Sequence, residues 1–206
     1  MEKDSGTRFS AKRLRFCKKQ KEEKAGFGLL ETAISLAVVG IMTVAVVKGG
    51  HLLEMARLNA VLAQVDQIRL AVQMFQDRNG NLPKDGVVED LEASKAFYAS
   101  LNETGASLPL NEGLVQGKMG GSLFISSKVL DHPGLWIVLA RSFDGLEGVL
   151  TPAQAEALNK KGDNGDPSSG EIQAIEDKGQ TGKCVNENKF NLENKDKACV
   201  VLFKLS

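Results

Sequence analysis

The sequence predicts an α+β fold: one long N-terminal helix, with a transmembrane half and an amphipathic half, packed on a small head with an antiparallel sheet. Three observations predict it. Residues 27–47 form a continuous apolar run of 21 residues in which Glu31 is the only charge. Beyond it, Leu58, Val61, Val65, Ile68, Val72 and Phe75 recur at alternating spacings of three and four, one stripe of an amphipathic helix. After residue 79 the chain breaks into short apolar segments bounded by Gly, Pro, Asn and Asp, which read as strands and turns.

The elements follow in order along 206 residues, enough for one domain plus an anchor. Residues 1–26 hold nine Lys or Arg against four acids, a net +5, and the rest holds 17 basic and 22 acidic residues, a net −5. The formal net charge of zero thus conceals two opposite segments. Positive charge beside a spanning segment stays on the cytoplasmic side, so the leader is expected inside and the C-terminal domain outside. A basic stretch alone would also suit a disordered or nucleic-acid-binding arm. The apolar run directly after it argues against that, and no nucleic-acid contact is inferred. At 1.5 Å per residue, 27–47 covers about 30 Å, the thickness of a bilayer core. The apolar region of a secretory signal peptide would be about 7–15 residues, with its cleavage site behind it. Here the run is longer, so a retained anchor is expected.

The amphipathic continuation occupies 48–78, with Arg57, Gln64, Gln67, Arg69 and Gln73 on its polar face, and Asn79-Gly80-Asn81 and Pro83 stop it. Gly49-Gly50 weakens the helix by about 1 kcal/mol per residue, as a loose boundary turn or as a hinge. The head spans 79–206. Within it, 88–101 reads as a short amphipathic helix through Leu91, Tyr98 and Leu101. Thr151-Pro152-Ala153-Gln154 reads as a helix start, with Thr151 as N-cap, Pro152 in the first turn and Gln154 completing a capping box; the helix ends at Gly162. Strands are expected at 122–126, 135–140, 170–175 and 199–205, with Trp136 in the core.

Glu31 is the residue that points to function. A carboxylate in hydrocarbon costs about 2.5–3.5 kcal/mol on insertion scales, so it needs a partner. Gly26-Phe27-Gly28-Leu29-Leu30-Glu31, behind a basic leader and ahead of about twenty apolar residues, resembles the processing site of type IV pilins and of the pseudopilins of type II secretion systems. Gly28 stands where that family commonly has Thr or Ser, and the leader is longer than the family's shortest. The resemblance implies cleavage after Gly26 by a prepilin peptidase, methylation of the new N-terminus at Phe27, and assembly guided by Glu31. It implies a bacterial inner-membrane subunit, single-pass, with the leader cytoplasmic and the head periplasmic, that later enters a pilus or pseudopilus filament. The partners it implies are the peptidase, other pilin or pseudopilin subunits, an inner-membrane assembly platform and membrane lipid. Major pilins often carry a Pro where this chain has Lys48-Gly49-Gly50, which favours a minor pilin or pseudopilin.

Cleavage would remove Cys17 and leave Cys184 and Cys199, an even count in an exported domain and hence one expected disulfide, as in many pilins. Two Cys without a nearby His make a poor metal site. Asp163, Asn164, Asp166 and Glu171 offer clustered oxygen ligands for calcium, which some secretion pseudopilins bind in such a loop. Their spacing is not that of the twelve-residue calcium loop, and the same residues suit an ordinary turn. The two histidines, His51 and His132, have no nucleophile beside them, and Gly117-Lys118-Met119-Gly120-Gly121 lacks the strand and helix of a phosphate loop. The chain is therefore expected not to be an enzyme. The alternative function is an uncleaved, membrane-anchored periplasmic binding module.

Overall fold

The computed structural model describes residues 28–129, 132–179 and 182–205. Two units are distinguished, Met1–Val46 and Val47–Ser206. Helix α1 (Leu29–Asn79) contributes to both. In the first unit every side chain from residue 29 to 44 is exposed. This helix is long and apolar enough to cross a membrane.

In the second unit, α1 follows the predicted stripe. Leu58, Val61, Val65, Ile68 and Val72 are buried, and Phe75 is partly buried against the same core. Gly80 follows at φ +77, the left-handed conformation that glycine supplies at a helix end. One expectation on the opposite face fails. Gln64 is only 7% exposed. Its amide donates to the Gln116 carbonyl at 2.9 Å and accepts from the Lys118 N–H at 3.2 Å, pinning α1 to the end of a strand. Composition alone assigns a Gln to the solvent side, whereas here two backbone partners offset its desolvation.

Helix α2 (Leu91–Glu103) begins three residues later than the periodicity places it. Asp90 is the reason: its carboxylate accepts from the Ala93 N–H at 2.6 Å and so caps the first turn. On α2, Phe97, Tyr98 and Leu101 are fully buried. The Tyr98 hydroxyl donates to the Leu123 carbonyl at 2.9 Å, and burial pushes its pKa well above the usual value. Helix α3 (Pro152–Gly162) carries the predicted box: Gln154 N–H donates to Thr151 Oγ1 at 3.3 Å and Thr151 N–H to Gln154 Oε1 at 3.1 Å.

Six strands form one antiparallel sheet in the order β1-β2-β3-β4-β8-β5. They are β1 (Leu110–Asn111), β2 (Leu114–Gln116), β3 (Ser122–Ser126), β4 (Trp136–Ala140), β5 (Ile172–Glu176) and β8 (Cys199–Lys204). The C-terminal strand thus sits inside the sheet. Strands β3 and β4 are buried throughout, so both sheet faces are covered. Register puts Ile125, Ile137, Phe203 and Ile172 on one face; Gly162, at the end of α3, packs against both Ile172 and Leu62 of α1 there. Phe124, Ser126 and Val138 share the other face. Trp136 is buried, and its indole N–H donates to the Pro133 carbonyl at 3.2 Å. A separate hairpin pairs β6 (Val185–Asn186) with β7 (Lys189–Phe190).

Cys184 and Cys199 form the expected disulfide, joining the segment before β6 to the start of β8 across 15 positions. Closing a loop of that length stabilises the fold by about 3 kcal/mol in the chain-entropy model. Replacing both cysteines by serine should therefore lower the urea midpoint of the detergent-solubilised chain by about 1–2 M, read from the fluorescence of its one tryptophan. An unchanged midpoint would show that the bridge does not constrain the unfolded chain.

Candidate functional site

The candidate site lies at the start of α1. Gly26 and Phe27, the expected cleavage and methylation residues, lie outside the described residues. Helical bonding begins right behind them. The Gly28 carbonyl accepts from the N–H groups of Glu31 at 2.9 Å and Thr32 at 3.2 Å, and Thr32 Oγ1 donates to the Leu29 carbonyl at 2.9 Å. Glu31 is therefore in the first turn, where the helix macrodipole favours a negative charge. Its side chain is exposed, as are Leu29, Leu30 and Ile34 around it. Among the described residues its carboxylate makes no ion pair. The first turn thus presents one acid in a collar of exposed apolar side chains. In lipid this arrangement is unfavourable, and a cation from another molecule would relieve it.

In the loop after α3, the residues expected to offer calcium ligands make contacts within the chain. Asp163 Oδ2 accepts from the Ile172 N–H at 2.9 Å. Asp166 accepts from the Ser168 N–H and from Ser169 Oγ, both at 2.9 Å, and Asn164 Oδ1 accepts from the Asp166 N–H at 2.8 Å. Glu171 pairs with Arg69 at 3.2 Å. The four predicted oxygen donors thus serve turns and one salt bridge. No three His, Cys, Asp or Glu side chains gather as a metal-binding group among the described residues.

Asn159, which sequence reasoning overlooked, holds that loop in place. It is 1% exposed. Its amide donates to the carbonyls of Asp166 at 2.9 Å and Ile172 at 2.6 Å, and its oxygen accepts from the Gly165 N–H at 2.6 Å. Its only sequence signal is a polar residue on the apolar face of a helix, next to Leu158.

Arg69 supplies a second cross-link. Besides Glu171 it donates to the Lys204 carbonyl at 2.9 Å, joining α1 to the last strand. His51 is exposed on α1, whereas His132 packs edge-on against Trp136, with ring centroids 5.7 Å apart. The two histidines serve different elements. Comparison of the chain with protein-family models, curated proteins and solved structures finds no match.

Proposed function

We propose that the chain is a structural subunit, a minor pilin or pseudopilin, cut after Gly26 and assembled through its N-terminal helix. The observation that carries this reading is Glu31: a single carboxylate in the first turn of an exposed apolar helix, four residues behind the Gly26-Phe27 junction. Cleavage there leaves a free amine on Phe27. An α-amino group has a pKa near 8 and is largely charged at neutral pH. Along a helix, four residues correspond to about 6 Å, so the amine of one subunit reaches Glu31 of a neighbour shifted by about one turn. Out of water this charge-assisted contact removes the cost of the lone carboxylate and favours one axial register.

The remaining features fit the same part. The apolar half of α1 serves as anchor first and as filament core later. The head, closed by a disulfide, suits an oxidising compartment, here the periplasm. The proposed partners are a prepilin peptidase, an assembly platform, membrane lipid and sibling subunits. The proposal involves no catalysis by this chain.

A Gly26→Ala variant tests the processing step. The added methyl group stands at the scissile bond, so nearly all of the chain should remain as a precursor 26 residues longer, visible as a slower band on a gel. Cleavage at the parent level would place the cut elsewhere.

A further inference from the structure

The head also carries a cleft on the sheet face of Phe124 and Val138. These two residues, paired between β3 and β4, form its floor, and Phe143 and Leu146 form a wall. The cleft encloses about 330 Å³, within the range of small-molecule sites. Lys128 and Lys178 also line it, both exposed, and among the described residues neither side chain makes an ion pair. Asp144 is the one carboxylate lining the cleft among the described residues, so their side chains give the rim a surplus of positive charge.

The wall is held in an unusual conformation. Leu146 has φ +42, in the left-handed region that a bulky side chain rarely adopts. Several contacts fix it there. Arg141 N–H donates to the Glu147 carbonyl at 3.0 Å, closing the loop, and Gly145 N–H donates to Ser142 Oγ at 3.3 Å. Lys178 N–H donates to the Leu146 carbonyl at 3.4 Å. Phe143 stands edge-on to Phe124 at 5.5 Å. Backbone strain of this kind persists where the surroundings over-determine it, and it gathers at ligand clamps.

We propose that the cleft binds a small organic carboxylate bearing an aromatic or branched apolar group. The apolar group packs on the half-buried side chains of Phe143 and Leu146, above Phe124 and Val138, and Lys128 and Lys178 take the carboxylate. Among the described residues a cation would meet two ammonium groups against one carboxylate. A polyphosphate would leave the half-buried apolar wall of Phe143 and Leu146 without a partner.

Equilibrium dialysis of N-acetyl-L-phenylalanine against the full chain in lipid nanodiscs, with empty discs as baseline, tests this. Saturable binding with a dissociation constant of about 1 mM or below is expected. The neutral N-acetyl-phenylalanine amide should bind at least about tenfold more weakly. The Lys128→Gln/Lys178→Gln variant should weaken binding of the acid by a similar factor while keeping the parent urea midpoint. Equal binding of acid and amide would reduce the cleft to apolar partitioning and overturn the proposal. So would an unaltered affinity in the double variant, or no saturation up to about 20 mM. A hexapeptide ending in phenylalanine that bound where the free acid did not would make the cleft a polypeptide-docking surface, and that too would contradict it.

Discussion

Glu31→Ala should lower the fraction of the chain recovered in sheared filaments by on the order of a hundredfold, while cleavage after Gly26 proceeds as in the parent. Two effects act in the same direction. Removing the carboxylate makes the free subunit more comfortable in lipid, by at most about 2.5–3.5 kcal/mol, the insertion-scale value for a helix centre. It also leaves a neighbour's ammonium group buried without its partner, and breaking a buried pair from one side costs about 3–5 kcal/mol. Breaking the pair alone shifts an assembly equilibrium by roughly two orders of magnitude or more, so about a hundredfold is the smallest loss expected. Glu31→Gln should fall nearly as far, since it keeps the shape of the side chain and loses the charge. The measurement is the ratio of sheared to membrane-bound chain on an immunoblot. Normal recovery of Glu31→Ala would rule out the amine–carboxylate pairing.

The second large effect concerns the head. Gly148→Ala should destabilise it by about 3 kcal/mol or more. A methyl group built at Gly148 would lie 2.2 Å from the Lys197 carbonyl oxygen, with Ala198 C and Cys199 N each 2.9 Å away. These are backbone atoms, so no rotamer change relieves the clash. They belong to the turn that feeds β8, where Val149 and Leu150 exchange hydrogen bonds with Cys199. The variant has to part these strands beside the disulfide. Gly145, three residues earlier in the same loop, is the control: its nearest neighbour would be Ser142 Oγ at 3.4 Å, an ordinary contact. Gly145→Ala should keep the parent urea midpoint and Gly148→Ala should lose at least about 1.5 M. Equal midpoints for the two would show that the backbone at Gly148 yields more easily than its packing implies.

Much of this fold was legible in the sequence because local and tertiary signals agree. The α1 stripe from Leu58 to Phe75 faces the core, as its spacing requires. The Thr151-Pro152-Gln154 start is a local device and forms as read. The four longer strands are apolar enough to stand out, although β4 starts at Trp136 and β5 at Ile172, one and two residues later than expected. The two small hairpins did not stand out. Strands β1, β2, β6 and β7 have two or three residues each, too short for any periodicity. Their turns place Glu112-Gly113 and Glu187-Asn188 at positive φ, with Glu in a place where Asn or Asp usually signals a hairpin. Gln64 and Asn159 were hidden for another reason. A buried amide is satisfied by backbone groups outside its own helix, and no helical pattern shows where those groups will be. At the candidate site, Glu31 and its apolar surroundings are read directly from the sequence. A partner in another molecule leaves no mark on a single chain.

Mass spectrometry of the N-terminal peptide, taken from the chain purified out of its own membranes, is the most direct test of the processed-subunit reading. The account predicts a chain that begins at Phe27 with a methylated α-amine. A chain that still begins at Met1, with Gly26 and Phe27 joined, would contradict it and leave a simple membrane-anchored module in its place.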